Sequence, residues 1–126
     1  MLQPQQFEVN QAWVTFQLNG QPIRTEADGD FNCFVLMDAA SCFILCSEMV
    51  PASADEPSEL EFRRLLKNAQ SRSQTLPGTL LVPNEVKSEA KTQVATEQDI
   101  EVVLVPESEL LEIIGEARDG FSERFE

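Results

Sequence analysis

Residues 79–105 read TLLVPNEVKSEAKTQVATEQDIEVVLV, and this stretch decides the fold class. Thr79–Val82 is a short run of branched apolar side chains, the composition of a strand buried on both faces. Asn84 suits the N-cap of a helix reaching about Thr96, with Val86, Ala90 and Val94 on one face. Ile100–Val105 is a second strand. A strand, a helix of about three to four turns and another strand predict a right-handed parallel crossover, because parallel neighbours need a long connection.

Working back from there, Leu76-Pro77-Gly78 turns the chain into this unit. A helix capped by Asp55 or Ser58 is expected to run to about Ser71, with Leu60, Phe62, Leu65, Leu66 and Ala69 as its buried stripe. Its Arg63, Arg64, Lys67 and Arg72 hold much of the positive charge. Phe31–Met37 and Cys42–Glu48 are apolar on both faces and read as central strands. Ala12–Leu18 alternates Val14, Phe16 and Leu18 against Trp13, Thr15 and Gln17, the period of a strand. Asn19-Gly20 is a hairpin signal, and Gln21–Thr25 a short return strand that Pro22 assigns to an edge. Beyond Val105, Pro106 opens a last helix that ends near Gly120, with Leu110, Leu111, Ile113, Ile114 and Ala117 inward. Phe121 and Phe125 extend its packing.

The cysteines are Cys33, Cys42 and Cys46, an odd set that suits reduced thiols. A two-residue turn in Asp38-Ala39-Ala40-Ser41 pairs Met37 with Cys42, Val35 with Ile44 and Cys33 with Cys46, all on one face. That register predicts Cys33 and Cys46 within bridging reach, although buried cysteines usually act as small apolar residues.

With 126 residues the chain suits a single α/β domain over residues 11–126, preceded by a flexible N-terminus over residues 1–10. No apolar run approaches the ~20 residues of a membrane span. The start has neither a basic n-region nor an apolar h-region, so the expectation is a cytoplasmic protein without membrane contact. Net charge is −13, with no histidine and no tyrosine. From Glu97 to Glu126 there are ten carboxylates against Arg118 and Arg124. Such a surface repels nucleic acid, whose binding needs Lys and Arg against phosphates. It reads as a solvated acidic face, or alternatively as an acidic mimic of DNA that occupies a basic protein. Serine-nucleophile and phosphate-loop signatures are absent, since there is no Gly-x-Ser-x-Gly, no His base and no glycine-rich loop.

Taken in order, several segments resemble the ribonuclease H-like core of integrases and transposases. Trp13-Val14-Thr15-Phe16 is similar to that family's first strand, where a tryptophan commonly precedes Val-Asp-Phe. Phe34 through Ile44 resembles its second and third strands, joined by an Asp-x-x-Ser turn. Leu76 through Glu85 is similar to the approach to its fourth strand and Asp-Asn-Gly signature, and Asp99-Ile100-Glu101-Val102 to the lead into its fifth. The resemblance implies a mixed sheet, an N-terminal antiparallel meander followed by α-β-α-β-α. The second half also resembles a bacterial domain family of unknown function, which pairs a Pro-x-x-Leu-x-Val strand with a helix and a Gly-Ile-x-Val-x-x-Val strand.

Active members of the integrase group hold two divalent metals with carboxylates from the first strand, the end of the fourth and the last helix. Carried across, the first position falls on Thr15 and the second on Pro83 or Asn84. Glu116 and Asp119 are candidates for the third. Asp38, Glu48, Glu59, Glu61 and Glu85 are other acids, read as turn residues or solvated helix faces. The resemblance thus implies a core without its metal ligands, and no catalytic, cofactor-binding or metal residue is assigned. The expectation is a non-catalytic domain acting through a protein partner or as a homodimer. The alternatives are a divergent metal-dependent phosphodiesterase using Asp38, Glu116 and Asp119, or the DNA mimic.

Overall fold

The structure, a computed structural model, describes residues 1–125. Six strands and three α-helices follow one another as β1 (Ala12–Gln17), β2 (Ile23–Arg24), β3 (Asp30–Asp38), β4 (Ile44–Pro51), α1 (Glu59–Ser73), β5 (Thr79–Pro83), α2 (Glu89–Glu97), β6 (Glu101–Val105) and α3 (Leu111–Phe125). Short 3₁₀ turns lie at Pro4–Gln6 and Glu107–Glu109. All six strands form one sheet. β3 pairs antiparallel with β1 and β4, while β5 runs parallel to β1 and to β6. The architecture is the mixed, ribonuclease H-like sheet that the segment order predicted, with the crossover from Thr79 to Val105 in place.

Two apolar clusters explain why the central strands lack a polar face. Val14, Phe16, Val35, Met37 and Leu81 face α3, where Ile113 and Ile114 are fully buried. Trp13, Leu36, Leu80 and Val82 face α1 and α2, meeting Phe62, Leu65, Leu66, Ala69, Val94 and Ala95. Adjacent residues of a strand point to opposite faces, so helices on both sides need apolar residues at every position. Each such Leu or Phe contributes about 1.5–3 kcal/mol through burial.

Local chemistry fixes the ends. Ser58, rather than Asp55, caps α1: its hydroxyl accepts from the Glu61 amide while the Glu61 carboxylate accepts from the Ser58 amide. That reciprocal box satisfies two amides left open by the first turn. Gln74 closes α1 in the left-handed region at φ 62°. The indole of Trp13, fully buried, donates to Asn10 at 3.0 Å. In the first ten residues the Leu2 amide donates to the Glu109 carbonyl, and Leu2 and Phe7 pack on the α3-side cluster.

Several expectations are corrected. Asn19-Gly20 does not close a hairpin between β1 and β2. Asn19 instead accepts from the Cys33 amide at 2.7 Å and donates to Asn32 and to the Gln21 carbonyl, which sends the chain on to pair with β3. β2 is a short flank of β3, level with Phe31 and Asp30. β4 was expected to be central but lies at an edge, pairing with β3 alone, and runs on to Pro51.

The β3–β4 turn is longer than two residues. Cys42 adopts φ 59°, and a bulge between Leu36 and Met37 shifts the register. Leu36 therefore faces Cys46, and Cys33 faces Met49. Cys33 belongs to the α3 side, whereas Cys46 packs on the α1 side with its thiol against the Leu65 carbonyl. The expected Cys33–Cys46 pairing is thus replaced by residues on opposite faces.

α2 begins at Glu89 after Ser88, not at Asn84. Asn84 and Glu85 are held to the next strand's end, through the Asn84 amide on the Val105 carbonyl and the Glu107 amide on the Glu85 carboxylate. Those bonds compete with helical geometry. A 3₁₀ turn separates Pro106 from α3, and α3 continues through Gly120 to Phe125. Leu60 and Leu111, expected inward, are 67% and 50% exposed.

Candidate functional site

A cleft of about 460 Å³ opens at the C-terminal ends of β1 and β5. Ligands of open α/β sheets commonly sit outside such strand ends, so this is the first place to look for chemistry. The floor is Thr15 to Leu18 with Pro83. One wall carries Glu56 and Lys91, and the other carries Glu107, Arg118, Asp119 and Ser122.

Lys91 is 2% exposed, pairs with Glu56 and places its ammonium 5.6 Å from the centre of the Phe34 ring. A buried cation needs such compensation, because desolvation without a partner is severe. Arg118 sits 5.4 Å from the Phe16 ring centre, donates its Nε–H to the Gln17 carbonyl at 3.1 Å, and pairs with Glu107. Both cations of the cleft are therefore already neutralised by acids of the same cleft. Thr15 is fully buried, and its hydroxyl has no hydrogen-bond partner among the described residues.

Of the residues singled out in the sequence, Thr15, Pro83 and Asp119 line this one cleft, and the other acids do not. Thr15 pairs with Leu36 and shares the side of Trp13, facing α1 and α2. Phe16 faces α3 instead. Extending the register Val14↔Leu81 by two residues sets Phe16 level with Pro83. Phe16 is thus the β1 residue level with Pro83 on the α3 side, while Thr15 lines the same cleft from the other face of the strand. Asn84 lies in the turn after β5.

Asp119 lines the cleft, but Glu116 lies away from it, in a recess with Ser41 and Cys42. Asp38 is 2% exposed and structural. Its carboxylate accepts from the Asn10 amide and from the amide and hydroxyl of Ser41. Glu48 pairs with Arg64, Glu61 closes the α1 cap, and Glu85 holds the Glu107 amide. Glu59 is exposed in the first turn of α1, where the helix dipole favours it. The trio Asp38, Glu116 and Asp119 is consequently not one site.

Burial raises all three thiols. Cys46 is pushed up to about 11, first by desolvation and then by Glu48. Cys33 is raised by burial, and Cys42 by burial with Glu116 and Asp38 adding to it. Such thiols are poor nucleophiles at neutral pH.

Lys91, Arg118, Glu56 and Glu107 were not anticipated from the sequence. A signal existed: Lys91 precedes Val94 and Ala95 by three and four positions, on the buried side of α2. Arg118 follows the buried Ile114 by one helical turn.

No protein-family profile matches the chain, and no curated protein matches it in sequence. Solved structures do match in fold. One is a chain of the simian T-cell lymphotropic virus intasome in complex with the PP2A regulatory subunit B56 gamma, at TM-score 0.62 and 13% identity. That match covers 91% of this chain but only 39% of the other. The HTLV-2 integrase catalytic core domain, in complex with magnesium, matches at 0.59 and 13% identity over 98% of this chain and 70% of its own. The catalytic core domain of BIV integrase matches at 0.59 and 11% identity, over 91% and 68%. The fold is therefore that of an integrase catalytic core.

Whether the cleft suits a metal is decided by its donors. Among the described residues no group of three or more His, Cys, Asp or Glu side chains is placed to hold a metal ion. Phe16 and Pro83 offer no side-chain donor, and Glu56 and Glu107 are already paired with Lys91 and Arg118. This donor set does not fit a divalent cation, which wants several anionic oxygens at once.

Proposed function

We propose that this chain is a non-catalytic domain of integrase-core fold that works through contact with another protein. The supporting observation is the packing of Arg118 over Phe16 beside Pro83, where the ends of β1 and β5 meet α3. On this reading the positions to which the resemblance assigns the first two carboxylates hold Thr15 and Pro83, beside an apolar and cationic plug of Phe16 and Arg118. Such a plug stabilises the sheet end but supplies neither a base nor a Lewis acid. The function then lies on the outer surface, with either a second copy or a different protein as partner.

Two measurements test it. Purified protein incubated with magnesium or manganese should leave single- and double-stranded nucleic acid intact. Cleavage that Asp119→Asn abolishes would overturn the non-catalytic reading. In-cell crosslinking followed by mass spectrometry should recover the chain joined to itself or to a defined protein. Recovery of only uncrosslinked monomer would remove the contact role.

A further inference from the structure

The sheet ends in β4 on one side and in β6 on the other, and the two edges are finished differently. β4 carries Glu48 and Pro51, and its ladder with β3 is bulged between Leu36 and Met37, devices that discourage a further strand. β6 has no such protection over Val102–Val105, an uninterrupted apolar run without Lys, Pro or register shift. Its ladder with β5 uses only half of its backbone groups. The Glu101 amide donates to the Gly78 carbonyl at 3.0 Å, and the Val105 carbonyl accepts from the Asn84 amide at 2.9 Å. Residues 101, 103 and 105 therefore turn their backbone groups toward β5, and Val102 and Leu104 turn theirs outward. No strand pairs with that outer side among the described residues. Leu104 is 51% exposed, and Val102 and Val103 are half-buried. Val103 packs on the α3-side cluster and Val102 on the opposite one, so an added strand continues both apolar layers.

Charge selects the kind of strand. Between Glu97 and Glu112 the chain holds acids and neither Lys nor Arg. Glu97, Glu107 and Glu109 are paired with Arg63, Arg118 and the N-terminal amine. Asp99 and Glu101, where the chain enters β6, have no ion-pair partner among the described residues. Glu101 is exposed and is itself the first residue of the strand, so its carboxylate stands beside whatever pairs at that end. A second copy laid antiparallel about Val103 would set Asp99 of one copy against Glu107 of the other and bring together two chains of net charge −13. Like charges oppose that pairing, whereas a strand with Lys or Arg beside Glu101 complements the edge.

We infer that the outer edge of β6 takes up an extended segment of a partner protein as a further strand of the sheet, with apolar residues beside Val103 and Leu104 and a Lys or Arg beside Glu101. Main-chain bonds to Val102 and Leu104 hold the segment, and the neighbouring side chains select it. This rests on the protein-contact reading above and names the partner's conformation and charge.

The test uses the full chain and a fluorescein-labelled peptide of ~8 residues, a strand's length, alternating valine with threonine. A lysine at each end lets either strand direction bring one to Glu101. One control replaces the lysines by glutamates, and another is N-methylated along its central amides. The lysine peptide should bind, and neither control should. Leu104→Pro deletes an outward amide while sparing the ladder with β5, and should weaken binding by about tenfold. Leu104→Thr keeps the amide and should weaken it less. Glu101→Lys should reverse the preference in favour of the glutamate peptide. Glu123→Lys, the same change of charge near the end of α3, should not.

Failure of the lysine peptide to bind, or equal binding of the methylated one, would overturn the proposal. So would equal effects of Glu101→Lys and Glu123→Lys, which would mean attraction to net charge alone. A folded Leu104→Pro protein that binds as the parent does would also overturn it; if that variant does not fold, the Glu101→Lys reversal decides. A dimer in light scattering that Leu104→Thr weakens would give the edge to a second copy and overturn the partner strand. Partner crosslinks confined to another face would overturn the edge while leaving the contact role standing. Metal-dependent nuclease activity would instead overturn the contact reading itself.

Discussion

Arg118 reaches back 101 positions to donate its Nε–H to the Gln17 carbonyl at 3.1 Å, tying the last helix to the end of the first strand. The same guanidinium covers Phe16 and pairs with Glu107. Three interactions converge on one planar cation, which lysine cannot reproduce. Arg118→Met keeps the stem but loses the donor and the charge, and should cost about 1–2 kcal/mol in urea unfolding. Arg118→Lys should recover less than half of that. Full recovery by lysine would show that charge alone matters.

Lys91 and Glu56 form the most buried ion pair, with side-chain exposures of 2% and 14%. Glu56→Gln leaves an ammonium in an apolar wall and should cost about 3 kcal/mol. Lys91→Met combined with Glu56→Leu should be much closer to the parent, because neither desolvated charge remains. The check is the double-mutant comparison in urea. A double variant as unstable as Glu56→Gln would count against desolvation as the cause.

Thr15 carries a buried hydroxyl without a hydrogen-bond partner among the described residues. Thr15→Val keeps the β-branched shape and deletes the unsatisfied group. The expected result is a gain of about 1 kcal/mol, read as a higher urea midpoint at unchanged slope. A loss of similar size would mean that the hydroxyl is solvated in the cleft.

The thiols set the alkaline limit. Cys46 keeps its proton up to about 11 in the folded chain, against an ordinary value of 9.0. The unfolded chain then releases the proton first. The contribution to stability is complete below pH 9 and is lost as pH rises through 11. Cys33 and Cys42 act in the same direction. The urea midpoint should fall across that range, and less steeply in Cys46→Ala. Mild oxidation of folded protein should give no Cys33–Cys46 bridge, because they occupy opposite faces. Peptide mapping that finds this bridge in native protein would contradict the β3–β4 register.

Much of the fold was legible because its strands are apolar in continuous runs and its helices in stripes. Thr79–Val82 and Ile100–Val105, separated by one helix, required a parallel pair, and β5 with β6 supply it. Continuous apolar strands likewise required helices on both faces, as the two clusters show. The misses fall at turns and edges, where a single hydrogen bond decides between conformations of similar energy. Asn19 bonding to Cys33 outweighed a hairpin, and the Asn84 and Glu85 contacts to the end of β6 delayed α2.

By itself, then, the sequence determined the class of architecture, the sidedness of the strands and the absence of histidine chemistry, because periodicity and composition are local properties. It did not determine which side chains meet. Arg118 over Phe16, Lys91 against Glu56, and the groove joining Met49 to Phe121 and Phe125 each join elements far apart in the chain. Only the sheet order and the path of α3 brought them together. The longer β3–β4 turn, which sets Met37 opposite Ile44, and a one-residue bulge between Leu36 and Met37 together separated Cys33 from Cys46 for the same reason: register is a property of two strands at once, and neither strand encodes it alone.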